Sequence, residues 1–331
     1  MSQHIIHLLS HDLRVRCELD RLIIRNRTSA EEKVVPLQDI AIIIAAAPDF
    51  SVTGVSLRRM AELGVLLLIC NERFEPACLN VPYYRGTDTH LLRKQVEWSH
   101  AWKRAQWRQI ITSKVEHQAM VLSPIAERGA HVLKIIAERC ASGTDDSAPV
   151  DLSKVTVSRR EGLHATTPEA CESRAARNYW QQLIPRLSAL QGTQERRRDP
   201  GTRDGVNGML DYGYAIVRTA VLRSLAAHGF IAALGIAHTA KAGSHALADD
   251  LMEPLRPFID LALWRLLQTG PQTMQTWVPK AAGVLTETVK MGGANLRLIN
   301  AIDLYVQSFA NATLHGTTGM LRIPPMPKPS P

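Results

Sequence analysis

The chain has 331 residues, 45% of them apolar and 21% charged, and a formal net charge of +8. The length sets a prior of two domains, and the apolar fraction is that of a protein that fills its cores. It holds no apolar run of the ~18 residues a membrane span needs. The start Met1-Ser2-Gln3-His4-Ile5-Ile6-His7 lacks the basic and then apolar regions of a secretory signal. Five scattered cysteines without a CxxC pair argue against a disulfide framework and a thiolate zinc site. A cytoplasmic location and no membrane partner are expected. The basic balance favours a polyanionic partner, although a solvated basic surface gives the same number.

Residues 1–85 read as a small β domain. Short runs rich in Ile and Val at 5–9, 22–24, 39–44 and 65–70 fit buried strands. One helix interrupts them: Ser51 is its expected cap, Val55, Met60 and Leu63 share a face, and Gly64 ends it.

Composition changes at Tyr83-Tyr84-Arg85-Gly86, and residues 86–322 read as an all-α domain. Leu91, Leu92, Val96, Trp102, Ile110, Ile111, Val115 and Leu122 keep helical spacing. Trp98, Trp102 and Trp107 alternate with Lys103, Arg104 and Arg108, which fits a nucleic-acid stripe but fits core packing better. A second helix is expected over 125–140, then a polar loop at 142–149. Thr166-Thr167-Pro168-Glu169 reads as a helix start with Thr166 as cap. Further helices are expected over 206–228, ending at Gly229, and over 246–267. The tail at 323–331 is too proline-rich to be expected to pack and is predicted to be disordered. The fold class is thus α+β: a β-sandwich-like N-terminal domain with one helix, then a larger all-α domain.

The chemistry concentrates in the segment from His238 to Pro254. Asp249 and Glu253 are four apart on a predicted helix, and Asp250 and Glu253 three apart. Either spacing sets two carboxylates on neighbouring turns, where they repel each other unless solvent, a base or a cation screens them. A bound divalent cation removes the conflict, and a solvated acidic face avoids it. Taken singly, His238 is more often a core or capping histidine, and Glu172 is a weaker signal still, an acid that can pair with Arg174, Arg177 or solvent. Tyr179, Tyr212 and Tyr214 read as packing or phosphate hydrogen-bond residues and not as nucleophiles.

Several stretches together resemble the CRISPR adaptation integrase, the Cas-one family. They are Glu172-Ser173-Arg174-Ala175-Ala176-Arg177-Asn178-Tyr179-Trp180, Asn207-Gly208-Met209-Leu210-Asp211-Tyr212-Gly213, and His238 with Leu247-Ala248-Asp249-Asp250-Leu251-Met252-Glu253-Pro254. In the N-terminal half, Val35-Pro36-Leu37-Gln38-Asp39 and Ser51-Val52-Thr53-Gly54 fit as well. The likeness spans residues 5–310 and is nearest to the branch that accompanies type II systems. It implies a metal-dependent DNA endonuclease and integrase, which inserts spacers into a CRISPR array by attack of a DNA 3′-hydroxyl on a repeat phosphodiester. It implies Glu172, His238 and Glu253 as catalytic ligands of Mg2+ or Mn2+, with Asp250 a candidate fourth. Arg174, Arg177, Lys241 and Arg256, next to those residues in sequence, are candidate DNA contacts, as is the Arg196-Arg197-Arg198 run.

The implied partners are double-stranded prespacer DNA, CRISPR repeat DNA, a second copy of the chain joined through the β domains, and a small dimeric CRISPR-associated protein in a four-plus-two complex. The alternatives weighed against this are a non-catalytic basic DNA-binding scaffold and a hydrolase of small phosphoesters.

Overall fold

The computed structural model describes residues 4–45, 49–71, 76–80, 89–143, 166–202, 204–238, 245–319 and 321–327. The expected domain boundary at 85/86, most of the polar loop at 142–149, Lys241 and residues 328–331 lie outside these.

The N-terminal strands are β1 His4–Leu8, β2 Leu13–Glu18, β3 Arg21–Asn26, β4 Glu32–Pro36, β5 Ile40–Ala45, β6 Phe50–Val52, β7 Leu66–Cys70 and β8 Pro76–Asn80, with helix α1 at Gly54–Leu63. They form two four-stranded sheets, ordered β1-β5-β7-β8 and β4-β3-β2-β6. In the first sheet β1, β5 and β7 run parallel and β8 antiparallel. The hairpins β2–β3–β4 make most of the second. β5 is buried along its whole length. Successive side chains of a strand point to opposite faces. Ile43 and Ala45 therefore join a small core shared with Leu13, Leu22 and Met60, whereas Ile42 and Ile44 join the large core of the helical part. The expected strands and single helix are present, but the cap of α1 is Thr53, whose side chain accepts from Ser56 N, and not Ser51. Val55 is 62% exposed and does not share the buried face of Met60.

The second part comprises α2 Thr89–Val96, α3 His100–Leu122, α4 Glu127–Ser142, α5 Pro168–Gln191, α6 Gly205–His228, α7 Ala246–Met252, α8 Arg256–Leu267, α9 Met274–Gly283, a hairpin of β9 Thr288–Met291 and β10 Ala294–Arg297, and α10 Leu298–His315. The hairpin corrects the all-α expectation. Gly292 and Gly293, both at positive φ, make its tight turn, which only glycine adopts without strain. α3 runs through the middle and packs on α4, α5 and α8. Trp102 and Trp107 are buried in it and Trp98 stacks on Trp102 with ring centroids 5.1 Å apart, so the tryptophan stripe is core. All five cysteines are free thiols.

The tail departs from expectation over 323–327. Met326 is 5% exposed, Pro324 is buried, and Ile323 packs on the main core. Arg322 N donates to Ser308 Oγ at 2.9 Å. Prolines carry no amide hydrogen to satisfy and are already extended, so a proline-rich segment can lie on helices at low cost.

Candidate active site

Four elements bring the site together. Thr167 caps α5 by accepting from Ala170 N, one residue after the cap expected from sequence, and Pro168 opens the helix. Glu172 thus stands on the first turns of α5. Lys114 comes from the middle of α3. His238 lies in the segment that follows α6. Glu253 stands in a single tight turn, Glu253–Leu255, between α7 and α8.

That turn corrects the single helix expected over 246–267. Pro254 and Pro257 lack the amide hydrogens of a continuous helix, and the chain breaks at Glu253. The acids whose spacing suggested mutual repulsion take different partners. Asp249 Oδ1 meets Arg218 Nε at 2.7 Å.

Asp250 is completely buried. Its Oδ2 accepts from Ile236 N at 2.6 Å and Ala237 N at 3.1 Å. Its Oδ1 accepts from His238 N at 3.0 Å and from His238 Nδ1 at 2.7 Å. Both oxygens are used in hydrogen bonds, and Asp250 orients the histidine. A carboxylate that accepts from Nδ1 fixes the tautomer and leaves Nε2 as the basic nitrogen. This hydrogen bond raises the His238 pKa above its ordinary value; burial opposes it, and the nearby charges of Asp250, Glu253 and Glu172 add to the rise. Trp107 stands edge-on to the imidazole at 5.8 Å between ring centroids.

Glu172 and Glu253 meet on one ammonium. Lys114 Nζ donates to Glu172 Oε1 at 2.6 Å and lies 2.5 Å from Glu253 Oε2. The second is a close charge contact only, because Glu253 Oε2 has no partner in hydrogen-bond geometry. Glu253 Oε1 faces Arg256 Nε at 3.0 Å. Burial pushes the Glu253 carboxyl up, but Arg256 and Lys114 outweigh it and hold the carboxyl at about 2. For Lys114, burial lowers the pKa and the charges of Glu253 and Glu172 raise it, with a net rise.

Arg256, a candidate DNA contact, is a partner of Glu253, with its guanidinium 4.8 Å from the centroid of the Tyr214 ring. Below it, Tyr179 Oη donates to Asp260 Oδ2 at 2.6 Å and Tyr214 Oη donates to Asp260 Oδ1, which confirms these two tyrosines as packing residues. Arg198 binds Asn207 and Asp211 beside Trp180. Arg174 and Arg177 lie on α5 beside Glu172, the first half-buried and the second exposed.

Side-chain exposure rises from 4% at Glu253 through 10% at Lys114 and 27% at Glu172 to 48% at His238, so the cluster opens on the Glu172–His238 side. There a cleft of about 490 Å³ is lined by His100, Lys103, Arg104, Trp107, Glu172 and His238. His100, Lys103, Arg104, Trp107 and Lys114 recur at helical spacing, so one face of α3 runs from exposed basic residues down to the acids. A larger cavity, about 900 Å³, lies in the N-terminal part along β1 and β4 and is lined by none of the expected site residues.

Among the described residues no three His, Cys, Asp or Glu side chains stand as a ready metal-binding group. The donor chemistry nevertheless suits a hard divalent cation: two carboxylates, one with a buried oxygen lacking a hydrogen bond, and a histidine whose Nδ1 is engaged. Sequence reasoning missed Lys114. Its signal was a lysine at an apolar position of α3, one turn beyond Ile110 and Ile111 and next to Val115.

The two-sheet part joined to a helical part carrying an acid–ammonium–imidazole cluster defines an α+β protein of a recurring kind. A casposase bound to an integration product covers 100% of this chain and 95% of its own, with a TM-score of 0.75 at 18% identity. A chain of a Cas6-RT-Cas1–Cas2 complex covers 97% of this chain and 36% of its own, with a TM-score of 0.73 at 17% identity. Such likenesses establish the fold. The family model for CRISPR associated protein Cas1 matches residues 6–290, and the chain belongs to that family. The CRISPR-associated endonuclease Cas1 of Neisseria meningitidis serogroup C (strain 8013) is 29% identical over 302 residues, covering 89% of this chain and 88% of the relative.

Proposed function

We propose that the chain is a metal-dependent DNA endonuclease and integrase that inserts new spacers into a CRISPR array. In this reaction a 3′-hydroxyl of the incoming DNA attacks a repeat phosphodiester. A new O3′–P bond forms, the existing P–O3′ bond breaks, and the released 3′-oxygen takes up the proton the nucleophile lost. The observation that carries the reading is the convergence of Glu172 and Glu253 on one point beside an imidazole oriented by Asp250, at the base of an open basic cleft. Family membership and the names of the relatives, an endonuclease and a casposase, support it.

Glu172, Glu253 and His238 Nε2 would hold Mg2+ or Mn2+. When bound, the ion lowers the pKa of the attacking hydroxyl and neutralises charge at the phosphorus. The protein's own groups do the rest. Asp250 keeps His238 in one tautomer, and Arg256 holds Glu253 ionised. Trp107 makes an apolar wall against the imidazole. Lys103 and Arg104 offer charge to phosphates along the cleft. No serine or tyrosine nucleophile is required, since Tyr179 and Tyr214 are committed to Asp260.

The partners proposed are prespacer and repeat DNA, a second copy of the chain through the β domain, and a small dimeric CRISPR-associated protein in a four-plus-two assembly. The Cas1–Cas2 complex among the structural neighbours supports a small partner of this kind. Placement in the type II branch rests on the sequence motifs and on the Neisseria relative. No helix among the described residues is long and apolar enough to cross a membrane. A passive DNA scaffold would have no use for two carboxylates converging on one ammonium.

The test is integration of a short duplex into repeat DNA with Mn2+. Glu172→Ala and His238→Ala are expected to lose activity by at least about 100-fold while keeping DNA affinity, a loss typical of deleted charge-stabilising groups. Full activity in Glu172→Ala overturns the proposal.

A further inference from the structure

The cation already in the site is Lys114, and on the metal-dependent reading above its position has a consequence for metal binding. Each oxygen of Glu253 faces a cation: Oε1 faces Arg256 Nε at 3.0 Å and Oε2 faces Lys114 Nζ at 2.5 Å. Glu172 gives Oε1 to the same ammonium at 2.6 Å. Two carboxylates are thus balanced by two cationic side chains. A divalent ion added to this set gains no net negative charge and meets an ammonium between its ligands. The two cationic partners differ in freedom. Arg256 is held over the Tyr214 ring, whereas Lys114 carries its charge on a four-carbon stem with rotatable bonds.

We propose that Lys114 is an exchangeable counter-ion. It holds Glu172 and Glu253 together in the metal-free protein and withdraws from at least one of them when a divalent cation binds. Lys114 is therefore a positioning residue that sets how tightly the site takes its metal. A merely structural ion pair would do the opposite, since its removal would scatter the acids and weaken metal binding.

The experiment is calorimetric titration of the full chain with Mn2+, without DNA, in the wild type, Lys114→Met, Lys114→Arg and Glu172→Gln. Lys114→Met, nearly the shape of lysine without its charge, is expected to bind Mn2+ about tenfold more tightly. Lys114→Arg, which pairs with carboxylates through a planar fork, is expected to bind it at least tenfold more weakly. Unchanged or weaker binding in Lys114→Met, or tighter binding in Lys114→Arg, overturns the proposal. Should Lys114→Met not fold alone, Mn2+ is expected to restore its fold, since binding to the folded state stabilises it; a variant that stays unfolded at saturating Mn2+ also overturns it. Glu172→Gln separates the two readings. If wild-type Mn2+ binding does not depend on Glu172, the metal-dependent reading itself fails. If it does and Lys114→Met is no tighter, only the exchange fails.

Discussion

Asp250 and His238 form a pair that links the core to the cleft: the carboxylate is wholly buried, accepts three backbone amides and His238 Nδ1, and delivers an imidazole that is 48% exposed. Asp250→Asn replaces one acceptor oxygen by a donor that faces amide hydrogens. The expected cost is about 1–3 kcal/mol of stability for the unsatisfied groups and an integration rate lowered about 10–100-fold, as for other residues that orient metal-binding histidines. Urea denaturation and the Mn2+-dependent integration assay check both; wild-type behaviour in both removes Asp250 from the site.

Gly235 makes this pair possible. A Cβ there would stand 2.7 Å from Asp250 Oδ2 and 2.7 Å from the His238 carbonyl oxygen. Since neither the buried carboxylate nor the backbone can give way freely, Gly235→Ala is expected to displace His238 without touching any proposed ligand. Activity should fall at least about tenfold, with a stability loss of about 1–3 kcal/mol. A crystal structure of the variant with His238 unmoved would contradict this expectation.

Lys103 and Arg104 line the cleft, and among the described residues neither forms an ion pair with an acid. Removing one side chain that neutralises a DNA phosphate lowers the salt slope of DNA binding by about 1. The double variant Lys103→Ala/Arg104→Ala is therefore expected to bind duplex DNA more weakly at low salt, with a slope reduced by about 2, and to bind Mn2+ as the wild type does. Fluorescence anisotropy across salt concentrations reads this directly, and an unaltered slope would show that these charges face only solvent.

Burial pushes Asp260 up to about 6, against the hydrogen bonds from Tyr179 and Tyr214 that lower it. A carboxyl raised in the folded state takes up its proton more readily folded than unfolded. The fold then loses stability as pH rises from the ordinary carboxyl range to about 6, by on the order of 2–3 kcal/mol at 1.36 kcal/mol per unit. Asp260→Asn does not titrate and is expected to flatten that slope in urea denaturation between about pH 4 and 6. An identical slope in the variant would assign it to other groups.

Much of the architecture was legible in the chain. Apolar runs of strand length marked β1, β5 and β7, and helical spacing with terminal glycines marked α1 and α6, whose ends at Gly64 and Gly229 adopt positive φ as expected. Local signals failed where tertiary contacts intervened. The tail at 323–327 packs because Met326 joins the main core, and nothing local announces that contact. The run 246–267 breaks into α7, a turn and α8, although both of its prolines were in plain view.

The sequence by itself determined the kinds of donor available: two glutamates and a histidine in motifs of a recognisable family, on a basic chain with no thiolate site. Those are properties of side-chain chemistry and order, which a linear string carries in full. Only the tertiary structure decided which acid meets which base. Glu172, Lys114 and Glu253 are separated by 58 residues or more in the chain, and Asp249, Asp250 and Glu253, near neighbours in the chain, have different cationic or amide partners. Charge pairing acts through space over a few ångströms, so its outcome is set by the packing of α3 against α5 and the turn after α7, and by no spacing along the sequence.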